Sequence, residues 1–288
     1  GSLGLTLDGV ALAEVAARHG TPLYIYGATT VQRRFAQLRA ALQSTGCPFR
    51  IQYAMKANRF PPLLALVRAE HDLAMDCCSP REVERALAAG FRPEEISVTA
   101  GMLSARDLQA FVRQGVHLNL DTRSALRRYS QLPGHLPRVG LRINPGVQAG
   151  WGEQSKLQYG NSKFGFDDDA VLEAVAYAEA LGLQVDTLHT HVGWGLQESA
   201  APLLAQVYDR LAEWAQKIPT LRVLNVGGGL CVKQRPEDKP LDVQTWADLL
   251  RVHLGRVCRE RGLLIACEPG TFVMATAGVL VAEVNTVE

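Results

Sequence analysis

Lys56 follows a short apolar run, within the segment Tyr53-Ala-Met-Lys-Ala-Asn58. A lysine amine attacks carbonyl groups, although a lysine at the end of a strand is more often only a solvated charge. Later apolar runs end in residues with further chemistry: Asp76, Asp121, Arg142, Asn144, His189, His191, Gly227, Gly228, Gly229 and Glu268. Together they offer a nucleophile, acids and bases, and a turn whose backbone amides can bind an anion.

Each position also has an interpretation without chemistry. His189 and His191 share one face of a strand, and either could be a hydrogen-bonded core histidine. The three glycines could form a plain tight turn, and Glu268 could be a surface turn acid. Asp76 could cap the following helix, although Ser79 is better placed for that.

The combination, however, matches the needs of one cofactor. Pyridoxal phosphate requires a lysine for its aldehyde, an anion cradle for its phosphate, a flat side chain against its ring and a carboxylate for its pyridine nitrogen. Lys56, the glycine turn 227–229, His191 and Glu268 can meet these requirements in turn. We therefore predict a pyridoxal phosphate site.

The elements that must position these residues follow a regular alternation. Apolar runs, predicted as strands, cover 50–55, 72–77, 95–99, 117–121, 138–143, 184–192, 222–226 and 263–267. Helical spacing separates them at 61–69, 80–89, 104–113, 122–131, 168–181, 199–216 and 243–261. Strands that are apolar on both faces and separated by helices favour parallel pairing, and eight such units predict an α/β fold, a (β/α)₈ barrel of the TIM type. An open doubly wound sheet would carry a Gly-x-Gly-x-x-Gly turn, which this sequence lacks.

Other segments flank or interrupt the alternation. A helix is predicted at about 8–19, a strand at 23–26, a second helix up to about 43, and a strand near 279–284. The stretch 144–166 contains several glycines and Trp151, and its length predicts an active-site loop.

Composition limits the classes of function. Of 288 residues, 47% are hydrophobic and 20% charged, as in a soluble globular enzyme. The net charge of +1 favours neither nucleic acid nor an anionic membrane as a partner. The six cysteines lack the paired spacing of a metal site, so no metal is expected and a reduced, cytoplasmic location is predicted. No apolar run is long enough to span a membrane.

A set of motifs indicates a protein family. They are Thr21-Pro-Leu-Tyr-Ile-Tyr26, Tyr53-Ala-Met-Lys-Ala-Asn58, Asp76-Cys-Cys-Ser-Pro-Arg-Glu82, Leu141-Arg-Ile-Asn-Pro-Gly146, Ser162-Lys-Phe-Gly165, His189-Thr-His-Val-Gly193, Asn225-Val-Gly-Gly-Gly-Leu230 and Glu268-Pro-Gly270. In this order the chain resembles the fold-type III pyridoxal phosphate-dependent decarboxylases of diaminopimelate, ornithine and arginine. Within this family, the motifs most resemble those of the diaminopimelate decarboxylases.

The resemblance implies an amino-acid decarboxylase, a carbon–carbon lyase, that acts on a diaminopimelate-like or basic amino acid. The implied catalytic residues are Lys56, which would form a Schiff base with the cofactor, His191, which would stack on its ring, and Glu268, which would pair with the pyridine nitrogen. The other implied cofactor contacts are Asp76, Arg142, Gly227, Gly228, Gly229, Gly270 and Thr271. A homodimer of the full-length protein is also implied.

Two residues and the end of the chain depart from the family pattern. Trp194 stands where a small hydroxyl residue is usual, and Thr271 stands where an arginine associated with a distal substrate carboxylate is usual. Residues 1–27 are expected to lead into the barrel, 28–271 to form it, and 272–288 to begin a C-terminal β-domain that is mostly missing. Because that domain is expected to supply the proton donor, we expect the isolated barrel to turn over poorly.

Other functions on the same fold remain open at this point. A racemase would use Lys56 and a tyrosine of the other domain as opposed bases, and would more often pair the ring nitrogen with arginine than with a carboxylate such as Glu268. A non-catalytic regulator on the decarboxylase fold should have lost the lysine or the glycine turn, and both are present. A sugar-phosphate barrel would use the glycines but would not need His191 and Glu268 together.

Overall fold

The amino-terminal segment is a hairpin followed by a helix. The computed structural model describes residues 4–70, 72–147 and 163–287. Strands β1 (Thr6–Leu7) and β2 (Val10–Ala11) pair antiparallel, with positive φ at Asp8 and Gly9 in the turn. Helix α1 (Leu12–His19) is therefore shorter than the predicted 8–19, because the hairpin takes up its first residues.

Strand β3 (Leu23–Tyr26) and helix α2 (Ala28–Gln43) then lead into the barrel. Its eight strands are β4 (Phe49–Ala54), β5 (Leu73–Cys77), β6 (Ile96–Thr99), β7 (His117–Leu120), β8 (Arg138–Asn144), β10 (Gln184–Thr190), β11 (Val223–Asn225) and β12 (Leu264–Cys267). A short strand, β9 (Phe166–Asp167), pairs with the end of β8.

The sheet closes on itself. Every neighbouring pair of barrel strands is parallel, and β10 bonds to both β8 and β11 while β12 bonds to β4. The prediction of a (β/α)₈ barrel is thereby confirmed, and the open doubly wound alternative is wrong because an open sheet would leave two strands unpaired on one side.

Helices surround the barrel between its strands. They are α3 (Pro61–Ala69), α4 (Pro80–Ala88), α5 (Ala105–Gln114), α6 (Arg123–Ser130), α7 (Val171–Ala180), α8 (Ala201–Lys217), α9 (Val243–His253), α10 (Gly255–Arg261) and α11 (Thr271–Met274). The predicted helix 243–261 is two helices, since the chain turns at Leu254 ahead of Gly255, a weak helix former. Within the described ranges, no helix has the length and apolar character to cross a membrane.

The two faces of the strands differ in character. Ile51 and Tyr53 of β4 are buried in the apolar core with the helices. Interior positions carry polar side chains, and Gln52 of β4 bonds across the barrel to Asn225 of β11. The barrel lumen is therefore more polar than the aliphatic filling that is common in this fold.

The end of the described chain returns to its beginning. Strand β13 (Gly278–Val281), near the predicted strand 279–284, pairs antiparallel with β3 and forms a two-stranded sheet that is separate from the barrel. Tyr24 of β3 and Leu280 of β13 are both largely exposed.

Candidate active site

A cavity of about 590 Å³ opens at the carboxyl ends of the barrel strands, where active sites of this fold lie. The structure brings seven of the predicted residues into its wall: Lys56, Arg142, His191, Gly229, Glu268, Gly270 and Thr271. The other three, Asp76, Gly227 and Gly228, lie behind this wall and contact its members. The predicted site residues thus form one cluster.

Lys56 is aimed into the cavity by a 3₁₀ turn, Met55–Ala57, at the end of β4. Its Nζ lies 2.8 Å from Oδ2 of Asp76, whose side chain is fully buried while that of Lys56 is half-exposed. Burial opposes the charge of Lys56, but the negative charges around it, that of Asp76 above all, outweigh burial and raise the lysine pKa.

Asp76 pairs with Lys56 and does not cap helix α4. The N-cap of α4 is Ser79, which accepts a hydrogen bond from the Glu82 amide, so the alternative of Asp76 as a cap is wrong. Burial and the nearby charge of Glu268 raise the pKa of Asp76 to about 7 despite Lys56. Its second oxygen, Oδ1, is buried without a partner among the described residues.

Glu268 is buried and held at both carboxylate oxygens. His189 Nε2 lies 3.1 Å from Oε2, and Asn225 Nδ2 donates to Oε1 at 2.9 Å. Burial acts to raise the pKa of Glu268, but His189 and then Lys56 outweigh it and lower the pKa below its ordinary value. Glu268 is therefore an anion inside the barrel and not a surface turn acid.

His191 is neutral and oriented by the glycine turn. The Gly228 amide donates to His191 Nδ1 at 3.2 Å, which places the imidazole proton on Nε2. Burial, reinforced by the charge of Lys56, lowers the pKa of His191 to about 3. The ring is thus uncharged over the physiological range and can lie against an aromatic ligand.

The turn 227–229 has no room for side chains. Gly227 and Gly229 have φ of 69° and 111°, a region that favours glycine. A Cβ on Gly227 would collide with the Thr190 carbonyl, and one on Gly228 with the Glu268 carbonyl. The turn therefore packs closely against the ends of its neighbouring strands. Gly229 lines the cavity, whereas the Gly227 amide donates to Asn225 Oδ1.

Arg142 brings a buried cation to the cavity. Its guanidinium lies 4.4 Å from the centre of the Phe164 ring. Its charge acts to lower the pKa of the nearby Asp121. The sequence placed Phe164 only in the loop 144–166 and in the motif Ser162-Lys-Phe-Gly165. Residues 148–162 of that loop, with Gly150, Trp151, Gly152, Gly160 and Ser162, lie outside the described residues.

Sequence reasoning missed two contacts of the cluster. Cys78, just after the end of β5, lines the cavity with Sγ 3.8 Å from Lys56 Nζ, and its place two residues after Asp76 in the segment Asp76-Cys-Cys was a usable signal. His189 was noticed, but its bond to Glu268 could not be read from a spacing of 79 residues. Among the described residues no cluster of three or more His, Cys, Asp or Glu could hold a metal.

These features define the class of pyridoxal phosphate-binding barrels: a closed barrel, a lysine in its cavity, a buried carboxylate and a turn that only glycines can form. The residues present fit that cofactor. The family model of the pyridoxal-dependent decarboxylases, pyridoxal binding domain, matches residues 28–275. The chain belongs to this family, as its motifs predicted. Pyridoxal phosphate is its cofactor.

Two curated relatives are diaminopimelate decarboxylases. The chain is 30% identical to diaminopimelate decarboxylase of Methanothermobacter thermautotrophicus, over 99% of this chain and 68% of that protein. It is 33% identical to diaminopimelate decarboxylase of Streptomyces coelicolor, over 97% of this chain and 62% of that protein. The chain thus spans about two thirds of the length of these relatives.

Solved structures agree in fold. A crystal structure of diaminopimelate decarboxylase superimposes with a TM-score of 0.85 at 28% identity, over 99% of this chain and 67% of the other. The Helicobacter pylori diaminopimelate decarboxylase complexed with L-lysine gives a TM-score of 0.83 at 26% identity, over 93% and 68%.

Proposed function

We propose that this chain is the cofactor-binding barrel of an amino-acid decarboxylase, with a diaminopimelate-like or basic amino acid as substrate. The observation that carries the proposal is that the Lys56 amine and the anionic Glu268 carboxylate belong to one cavity at the carboxyl ends of the strands. Bound pyridoxal phosphate accepts the electron pair that remains on Cα when CO₂ leaves.

The residues around the cavity have separable roles in this proposal. Lys56 holds the cofactor aldehyde through its amine and gives way to the substrate amine. Glu268 keeps a proton on the pyridine nitrogen, because an anion held by His189 and Asn225 favours the charged form of its partner. The anionic state of Glu268 supports a decarboxylase over the racemase alternative.

The remaining side chains position the cofactor. Neutral His191 would stack on the ring, and the turn 227–229, with Gly270 and Thr271, would hold the phosphate. The Gly227 and Gly228 amides already donate to Asn225 Oδ1 and His191 Nδ1, so we propose that Gly229, which lines the cavity, faces the phosphate from this turn. Asp76 and Arg142 would hold the ring and its hydroxyl. The ion pair with Asp76 also favours the protonated form of Lys56. The lysine therefore becomes a nucleophile only when it loses that proton.

Two residues of the cavity wall bear on the choice of substrate. Trp194 and Thr271 both line the cavity, and neither offers a cation to a distal carboxylate. We propose a diaminopimelate-like substrate because of the names of the relatives, and a basic amino acid as the competing choice because of these two residues. A cytoplasmic homodimer is the proposed form of the full-length protein.

We also propose the domain boundaries 1–27, 28–271 and 272–288. The support is the sheet of β3 and β13, which lies apart from the barrel sheet. In this proposal 28–271 is the cofactor-binding barrel, and the flanking segments belong to a second, β-rich domain.

Covalent trapping tests the cofactor role. The chain is mixed with pyridoxal phosphate, reduced with borohydride and digested, and the modified peptide is identified by mass spectrometry. We expect the adduct on Lys56 and none there in Lys56→Arg, with Lys217→Arg as the control. An unmodified Lys56 in the wild-type chain would contradict the proposal.

Assays of the full-length protein test the reaction. CO₂ release is measured over diaminopimelate, lysine, ornithine and arginine, and the stereochemistry of unreacted substrate is followed in parallel. We expect CO₂ release from one of these substrates. Racemisation without CO₂ release would favour the alternative function.

A further inference from the structure

A second cavity, of about 520 Å³, opens at the opposite mouth of the barrel, where the strands begin. We call it the amino-terminal cavity, and its wall includes Arg50, Gln52, Ser97, Asp186, Asn225 and Leu264. Barrels of this fold usually fill this level with bulky aliphatic side chains. Here the short or polar side chains of the lumen leave space instead.

Two hydrogen-bond donors of this cavity have no partner among the described residues. Gln52 is only 7% exposed, and its Oε1 accepts from Asn225 Nδ2 at 2.9 Å, whereas its amide nitrogen makes no hydrogen bond there. Such a buried amide usually has an acceptor. Arg50 lies two positions earlier on β4, so both side chains share one strand face. The Arg50 side chain is exposed at the mouth of the cavity, and its guanidinium makes no hydrogen bond or ion pair with the described residues.

The acids near this mouth are already engaged. Asp186 Oδ1 lies 2.8 Å from His117 Nε2 and accepts from the Thr187 hydroxyl at 2.9 Å. Glu94 pairs with Arg92 at 3.2 Å. Two guanidinium groups without an acid partner among the described residues therefore line the cavity, those of Arg50 and of Arg138, whose Nε donates to the uncharged Gln184 side chain. Their charge favours an anionic group.

Part of the wall is apolar and includes Ile96, Leu136, Val223 and Leu264. We propose that the amino-terminal cavity binds a small carboxylic acid with an apolar body, whose carboxylate is held by Arg50 and Gln52. A carboxylate can accept from a guanidinium and an amide together, while the apolar residues cover the body of the ligand.

A chain of two hydrogen bonds would connect this site to the carboxylate of Glu268. Asn225 Nδ2 is 2.9 Å from Gln52 Oε1 and 2.9 Å from Glu268 Oε1, so one amide group contacts the floor of the amino-terminal cavity and the anion of the catalytic cavity. The binding proposal itself does not depend on the proposed function.

Calorimetric titration of the chain loaded with pyridoxal phosphate tests the proposal. The probes are 4-methylpentanoate and its uncharged amide, 4-methylpentanamide, which share a branched apolar body and carry no amine that could react with the cofactor. We expect the carboxylate to bind and the amide not to bind. Absence of carboxylate binding, or equal binding of the amide, would overturn the proposal.

Variants locate the binding. Arg50→Met and the isosteric Gln52→Glu are expected to weaken carboxylate binding at least about tenfold, while Arg106→Met, on the exposed face of α5, leaves it unchanged. Thermal unfolding of each variant verifies that it is folded. Arg142→Met is the counter-test, because carboxylate that binds in the catalytic cavity would respond to Arg142 and not to Arg50, which would also overturn the proposal.

Discussion

The imidazole of His189 lies 3.1 Å from the carboxylate of Glu268, and both side chains are buried inside the barrel. The two residues are 79 positions apart, on β10 and just after β12. A buried carboxylate without such a partner would take up a proton, because burial disfavours its charge. This contact therefore keeps Glu268 anionic.

Removal of this partner should weaken catalysis more than stability. In His189→Leu we expect the pKa of Glu268 to rise and kcat of the full-length enzyme to fall at least about tenfold, since each pKa unit represents about 1.4 kcal/mol. The absorption spectrum of the bound cofactor, recorded against pH, reports the protonation of its ring. His253→Leu, which removes a surface histidine paired with Asp209, is the control. An unchanged spectrum and kcat in His189→Leu would show that His189 has no part in holding this charge.

Replacement of Asp76 should change the pH dependence of cofactor loading. Asp76 raises the pKa of Lys56, which must be neutral to attack the aldehyde. In Asp76→Asn the lysine pKa falls, so the pH midpoint of Schiff base formation should move down by about 1 to 3 units. The rate of absorbance change on addition of pyridoxal phosphate measures this midpoint. Asp248→Asn, at an exposed position, serves as the control, and a midpoint that moves up would contradict the assignment.

The glycine turn should not tolerate alanine. Gly229 has φ of 111°, and an added Cβ would collide with the Gly193 carbonyl. We expect Gly229→Ala to lose about 1–3 kcal/mol of stability in urea unfolding and to bind pyridoxal phosphate more weakly. Gly182→Ala is matched, because its φ of 77° is also positive but its Cβ would meet open space. That control should lose stability without loss of cofactor affinity.

His191 should make the cofactor-free chain less stable in acid. Its pKa is lowered to about 3 in the folded state, whereas an unfolded histidine titrates near its ordinary value. The unfolded state therefore binds more protons between these values, and stability falls as the pH drops from about 6.5 towards 3. Between pH 6.5 and 5 the loss from this group is at most about 2 kcal/mol. Urea unfolding at both pH values should show a smaller loss in His191→Leu, with His135→Leu as the control.

A cation at position 271 should change substrate preference. Thr271 lies on the wall of the catalytic cavity and is exposed to it. In the full-length enzyme, Thr271→Arg should raise kcat/KM for diaminopimelate relative to lysine by about tenfold, because a guanidinium can pair with the distal carboxylate. Thr271→Met lacks the charge and should not do so. Equal ratios in both variants would exclude a role of this position in substrate choice.

The alternation of apolar runs and helical spacing was enough to predict the barrel, because each strand and helix carries its own periodicity in the chain. The ends of the strands were also readable, so Lys56, Asp76, Arg142, His191 and Glu268 could be predicted as a cluster. Parallel strands of a barrel bring their carboxyl ends to one rim, which makes such positions neighbours wherever they lie in the sequence.

The partners of these residues were decided by tertiary structure. The bond from His189 to Glu268 and the place of Phe164 under Arg142 depend on strand register and loop path, which no local pattern encodes. The break of the predicted helix 243–261 at Leu254 and the amino-terminal hairpin are different, because they have local causes, Gly255 after Leu254 and the turn at Asp8 and Gly9. The amino-terminal cavity depends on side chains of many strands meeting in one lumen, and so only the folded chain reveals the buried Gln52 amide beside the exposed Arg50 guanidinium.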